Sequence, residues 1–217
     1  MKYMFVVAHP DDEVLGAGAL IHKVIKEGNE VCVVILNADY EKTRNEMFND
    51  IKKSHDILGI TNSALFSYRN MGFYTENHRE MVESIETEIR AFEPDYVFTH
   101  NDKDLHSDHG ITSIVAQQAA RLWQRHSKGH KIKALYFMEI LSSTNWGAND
   151  FAPDTYVEVS GEDMMAEIEA LKVYQNVIRE APHPRRPECI MGLATLRGAD
   201  IGYRYAKAFK TVWRDCL

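Results

Sequence analysis

His9-Pro10-Asp11-Asp12-Glu13 sets one imidazole and three carboxylates within five residues, directly after the apolar run Tyr3-Met4-Phe5-Val6-Val7-Ala8. Side chains of these types, packed so closely, either ligate a divalent cation or move protons. Burying that much charge at the end of a strand is costly unless something compensates, and a cation compensates well. His9 and Asp12 stand three residues apart, so both face one ion while Asp11 points to a different side of it. The same carboxylates also suit a helix N-terminus, where unpaired backbone N–H groups favour negative charge and Pro10 would set the turn.

A second cluster, Asp104-Leu105-His106-Ser107-Asp108-His109, follows another strand-like run, Asp95-Tyr96-Val97-Phe98-Thr99-His100, and precedes an amphipathic stretch. In an open parallel sheet, the junctions after the carboxyl ends of strands share one edge, where ligands bind. The two clusters are therefore expected to meet. His9, Asp12 and one histidine of the second cluster make a two-histidine, one-carboxylate set with an open position. That is the composition of a catalytic zinc site rather than a closed structural one. Spacing does not choose between His106 and His109, and Fe²⁺ or Co²⁺ suits the same donors.

The elements that must position these residues alternate in period. The strand at 3–8 is followed by helical spacing in Val14, Ala17, Gly18, Ile21, Val24 and Ile25, stopped at Gly28-Asn29. A strand at 31–36, a helix at about 43–58 and a short strand at 64–68 come next, and 69–74 reads as a loop able to overhang the site. Met81, Val82, Ile85, Ile89 and Phe92 mark a helix ended by Pro94. The strand at 95–100 leads into a helix at about 108–126, with Ile111, Ile114, Val115, Ala119 and Leu122 inward. Strands follow at 133–139 and 155–159. Met164, Met165, Ile168, Leu171 and Ile178 form a core-facing stripe, and a loop at 181–187 precedes a last helical region. This alternation predicts an α/β fold: one Rossmann-like three-layer domain spanning 1–217, its mainly parallel sheet flanked by helices.

Composition narrows the partners. Hydrophobic residues make up 45% and charged residues 26% of the 217, as in a soluble globular domain. A net charge of −7 argues against a nucleic-acid surface, which needs a basic patch. No apolar run spans a bilayer and no secretory signal is visible. The three cysteines, Cys32, Cys189 and Cys216, form neither a disulfide framework nor a metal motif, which fits a reducing cytoplasm.

AHPDDE at 8–13, Gly16 and Gly18 behind it, HSDH at 106–109 and the ending Arg197-Gly198-Ala199-Asp200-Ile201-Gly202 with Tyr205-Ala206-Lys207-Ala208-Phe209 resemble the LmbE-like (PIG-L) zinc-dependent N-deacetylases. The likeness spans nearly the whole chain, with the two acidic and histidine motifs its most specific parts. It implies zinc ligands His9, Asp12 and His109, Asp11 as general base, and His106 as the histidine assisting the transition state. It implies removal of an acetyl group from an N-acetylated amino sugar or sugar conjugate, and related enzymes often form homo-oligomers. One position departs from the pattern. Where many members carry an Arg-x-x-Glu pair, this chain has Met47 and Asp50, with Arg44 a helical turn earlier as a substitute.

Around that core, Asp104, Asp108 and Glu13 are read as groups that orient or charge the histidines, helix capping being the alternative for Asp108. Arg44, Trp146, His183 and Arg185 are candidate substrate contacts: Trp146 to stack on a sugar or anchor its loop, Arg185 and Arg186 to meet a phosphate of a nucleotide-linked sugar. The stretch 141–146 reads as a polar surface for hydroxyls. His100 is expected to be structural, and His22, His55, His78, His126 and His130 solvated. Two other classes share the features in part: a zinc amidase acting on a non-sugar amide, and a non-catalytic sugar- or nucleotide-binding module that keeps a metal. A dinucleotide oxidoreductase is excluded, because the first strand-to-helix turn lacks GxGxxG and its carboxylates repel a pyrophosphate.

Overall fold

The computed structural model describes residues 1–38, 44–146 and 151–215, without the side chains of Arg44 and Asn45. Among the described residues, seven strands form one sheet: β1 Lys2–Val7, β2 Glu30–Ile35, β3 Asn62–Leu65, β4 Tyr96–His100, β5 Ala134–Met138, β6 Thr155–Glu158 and β7 Ala206–Arg214, in the order β3-β2-β1-β4-β5-β7-β6. The first five run parallel, and β7 pairs antiparallel with both β5 and β6. The helices that flank it are α1 Asp12–Lys26, α2 Arg44–Leu58, α3 His78–Phe92, α4 Ser107–His126, α5 Gly161–Lys172 and α6 Pro187–Ala199. Among the described residues no helix is long and apolar enough to cross a membrane.

Strand alternation divides the core into two layers. Phe5, Val7 and Phe98 pack with α1, α2, α5 and α6, whereas Met4, Val6 and Val97 pack with α3 and α4. The Phe5 and Phe98 rings stack with centroids 4.8 Å apart across the β1–β4 pair. Each such buried ring contributes about 1.5–3 kcal/mol. The chain winds from β1 outwards to β3, then returns to β4 on the other side of β1. The direction in which successive strands are added therefore reverses between the parallel neighbours β1 and β4, and the crevice at their carboxyl ends is where such folds bind ligands.

Close packing holds α1 at that crevice. A Cβ on Gly16 would come within 2.9 Å of Ile140 Cδ1, and one on Gly18 within 2.9 Å of Glu167 Cγ. Both glycines let α1 sit against the end of β5 and against α5.

Three readings of the sequence are corrected. The strand expected at 64–68 is centred earlier, at Asn62–Leu65. The stripe ending at Ile178 breaks at Lys172, with Met165 half exposed, and Ile114 on α4 also faces outwards. Beyond the expected last helical region, seen as α6, the chain adds β7, a nine-residue strand that the sequence reading does not place.

Candidate metal centre

His9 follows β1 and Asp12 opens α1, while His106 and His109 frame the start of α4. Asp11 caps α1 in the left-handed region, φ 99°, a conformation that Asp tolerates better than most residues. Its carbonyl receives Val14 N–H and Leu15 N–H, so the helix starts there, and its carboxylate meets Arg185.

Asp12 Oδ2 is the hub. It accepts the His9 backbone N–H at 2.9 Å and stands 3.4 Å from His9 Nδ1 and 3.3 Å from His109 Nε2. Ligand atoms on a tetrahedral ion with bonds of about 2.1 Å stand about 3.4 Å apart. Each imidazole is held by a carboxylate through its other nitrogen: His9 Nε2 by Asp108 at 3.2 Å, His109 Nδ1 by Asp104 at 3.3 Å. This carboxylate–imidazole pairing fixes ring orientation at metal sites. His106 joins His9 and His109 in a group whose ligating atoms lie within 4.8 Å of one another. A second such group is Asp12, His100 and His109. His100, however, accepts the Ala8 N–H through Nε2 at 2.9 Å, which occupies that lone pair.

The electrostatics agree with a site made for a cation. Burial works against charge on His9, but Asp108 and Asp12 outweigh it and push the imidazole up to about 9. His109, opposed by burial in the same way, is carried to about 10 by Asp12 and Asp104. Asp12, which burial alone would raise, is held well below the usual carboxylate range by His109 and His100. Burial and the neighbouring histidines push His100 down to about 3 and His106 to about 4, so both are neutral. Burial, then Asp12, raises Asp11 to about 7, with Arg185 acting against them. Imidazole and carboxylate donors so placed are of the type that holds a divalent cation, and the two groups share His109. The buried Nδ1 of His106 has no hydrogen-bond partner among the described residues.

The other residues singled out in the sequence fall into distinct places. Asp108 is fully buried and accepts Met71 N–H at 2.7 Å and Phe73 N–H at 3.3 Å, so it ties the loop after β3 to His9 instead of capping α4. Asp104 accepts His106 N–H at 2.9 Å, besides its contact with His109. Glu13 turns away from the cluster, into a buried group with His55 Nε2 at 3.2 Å and the Tyr174 hydroxyl at 3.5 Å. His55 is thus buried rather than solvated, and His22 pairs with Asp163 at 2.7 Å. Arg185 donates to Asp11 Oδ2 at 3.2 Å and to Ser142 Oγ at 2.9 Å. His183 Nδ1 accepts the Arg185 backbone N–H and shapes that loop. Trp146 is 62% exposed, so it does not anchor its loop. Arg44 opens α2, its side chain outside the described residues.

The hydroxyls at 141–146 do not form an open polar surface. Ser143 and Thr144 are buried and donate to Asp104 Oδ2 at 3.1 and 2.7 Å. Their role was not legible from sequence, because a Ser-Ser-Thr run gives no sign of which way it turns. His100 gave one signal, its position at the end of the strand before the second cluster.

Among solved structures, the chain resembles the conserved protein TT1542 from Thermus thermophilus (22% identity, TM-score 0.82, covering 99% of this chain and 96% of that one). It also resembles the N,N'-diacetylchitobiose deacetylase from Pyrococcus horikoshii (20%, 0.77, 97% and 83%). A third, the 4-carboxy-2-hydroxymuconate hydratase GalB from Pseudomonas putida, matches at 19% identity and TM-score 0.79 over 100% and 98%. At these identities the likeness is one of fold. The family model described as GlcNAc-PI de-N-acetylase, PIG-L, matches residues 4–120, more than half of the sequence and both clusters. This chain belongs to the PIG-L family.

Proposed function

We propose that the protein is a metal-dependent, most simply zinc-dependent, N-deacetylase that hydrolyses the acetamido group of an amino sugar or sugar conjugate, releasing acetate and a free amine. One observation carries the reading: His9 Nδ1 and His109 Nε2 both face Asp12 Oδ2, while the adjacent Asp11 carboxylate stays outside that set. The family match and the fold shared with a chitobiose deacetylase support it.

A cation bound by His9, Asp12 and His109 would supply a Lewis acid that polarises a carbonyl and acidifies water. The chain's own groups do the rest. Asp11, raised towards neutrality, takes the proton of the attacking water as its oxygen bonds to the acetyl carbon. His106 is neutral, so it serves as a hydrogen-bond donor to the developing oxyanion, not as an acid. Asp11 then returns its proton to the amine nitrogen as the C–N bond breaks. Asp108 and Asp104 hold the rings of His9 and His109 in register throughout.

The test is acetate release from a panel of N-acetylated amino sugars, free and nucleotide-linked, by zinc-loaded wild type beside Asp11→Asn. Release that vanishes in the variant is expected. Absence of release by a zinc-loaded, folded wild type would overturn the reading. It would favour a non-sugar amide, addition of water to an alkene as in the hydratase of this fold, or a binding role.

A further inference from the structure

The turn after β5 touches both halves of the candidate centre. Ser142 lies in the left-handed region, φ 83°, a strained position for a residue other than glycine. Its Oγ accepts the Arg185 Nε–H, and the same guanidinium donates through Nη1 to Asp11. Two residues on, Thr144 Oγ1 accepts the Ile140 N–H at 2.8 Å and donates to Asp104 at 2.7 Å. Ser143 donates to the same carboxylate oxygen, which also faces His109 Nδ1. Ser143 and Thr144 N–H groups both return to the Ile140 carbonyl, so the turn is closed upon itself.

We infer that Ser142, Ser143 and Thr144 are positioning residues: one turn sets the general-base carboxylate through Arg185 and a metal-facing imidazole through Asp104. Strain at Ser142 is what aims two consecutive hydroxyl-bearing residues at different partners. Its φ sends Oγ outwards to Arg185, while Ser143 and Thr144 point inwards to Asp104. With Thr144 and Ser143 in place, Asp104 Oδ2 has no freedom to rotate off His109. The placement of the Asp11 carboxylate relative to the His109 imidazole is thereby set by one segment, whose Ser143 Oγ also lies 3.5 Å from His109 Nδ1. The inference rests on the proposed function, its turnover arm on the deacetylation and its metal arm on the cation that reading places at His9, Asp12 and His109.

Two variants separate the arms. For the metal arm, Zn²⁺ alone is the probe, its affinity read by competition with a chromogenic chelator. Thr144→Val is expected to weaken zinc binding about 10–100-fold, with Thr144→Ser restoring it to within about threefold, as for other groups that orient ligands from behind. Unfolding midpoints of the metal-free forms are measured in parallel. A Thr144→Val protein that is less stable yet binds zinc like wild type has a merely structural threonine, and the inference fails. Should Thr144→Val not fold, Ser143→Ala removes a donor from the same oxygen and is expected to weaken zinc about 3–10-fold. Unchanged affinity there overturns the inference equally.

For the turnover arm, Ser142→Ala is expected to lower kcat about tenfold with zinc affinity unchanged, because a small displacement of a base costs rate rather than binding. Wild-type kcat in Ser142→Ala overturns this half. If wild type itself releases no acetate, the proposed function fails while the zinc titrations still decide the metal arm.

Discussion

Asp108 Oδ2 and His9 Nε2 stand 3.2 Å apart, joining the two motif clusters across 99 residues of sequence. The contact does more than pair charges. Asp108 also gathers the Met71 and Phe73 N–H groups, so the ring of His9 and the loop after β3 share one anchor. Asp108→Asn keeps the shape and loses the charge. Zinc affinity is expected to fall about 10–100-fold, the cost usual for such a partner. A titration with Zn²⁺ checks it, and unchanged affinity would show that His9 needs no help from Asp108.

Asp11→Asn is expected to reduce turnover by about 10²–10⁴-fold while leaving metal content near one per chain, since general-base catalysis contributes on that scale. Arg185→Met tests the same carboxylate from the other side. Burial and Asp12 hold Asp11 near 7, and Arg185 pulls it down. Removing the guanidinium therefore raises the Asp11 pKa. If Asp11 is the proposed base it works only when deprotonated, so the acidic limb of kcat against pH should move to higher pH in Arg185→Met. A limb that stays put, or moves to lower pH, would contradict the assignment.

Metal binding should release protons. Without a metal, Asp108 and Asp12 outweigh burial and push His9 up to about 9, and Asp12 and Asp104 push His109 up to about 10, which favours imidazolium on both at pH 7.5. A cation requires both neutral. Calorimetry of Zn²⁺ binding in buffers of different ionisation enthalpy is expected to show close to two protons released at pH 7.5, with affinity rising steeply towards pH 9. The linkage has a second consequence. Folded-state values above the unfolded value of about 6.5 stabilise the metal-free fold fully below that pH. That contribution is lost as pH rises through the values of His9 and His109. An apo unfolding midpoint that climbs between pH 7 and 10 would contradict these two assignments.

The meeting of the two clusters was legible because each is local in sequence. His9 and Asp12, or His106 and His109, stand a few residues apart at strand ends, and the α/β alternation places those ends on one edge. What escaped the sequence is held by distance. His55 lies 42 residues from Glu13, yet the two meet where α2 packs beside α1, so a helix histidine that looks solvated is buried. β7 escaped for another reason. Its alternation is blurred, because Lys207 faces inwards to pair with Glu167, and a lysine reads as an outward position.

That inward lysine yields a stability prediction. Glu167 is fully buried, and burial raises its carboxyl against the pull of Lys207 and the Ala19 N–H. Lys207 Nζ stands 3.0 Å from Glu167 Oε1 and also donates to the Leu15 carbonyl. Lys207→Met leaves the carboxylate buried without its cation, at a cost of about 3–5 kcal/mol. The unfolding midpoint should drop by about 2–4 °C per kcal/mol in a chain of this size. Adding Glu167→Gln to that variant should recover much of the loss. If the double variant is no more stable than Lys207→Met, the pair is not coupled.

Trp146 separates recognition from architecture. A large indole that is 62% exposed, two residues beyond the buried Thr144, contributes little to packing in the free protein. Trp146→Ala is therefore expected to leave the unfolding midpoint nearly unchanged. If the ring stacks on the sugar, KM should rise about 3–10-fold, equivalent to the 0.5–1.5 kcal/mol usual for ring contacts, with kcat nearly constant because such a contact holds ground state and transition state alike. Equal KM in both proteins would move the sugar elsewhere in the cleft, and a fall in kcat alone would place the indole against the reacting group instead. Asn145, next to it, donates to Glu139, which Arg197 holds in a bidentate pair. The backbone before Trp146 is therefore fixed, and the effect of its removal reads the indole itself.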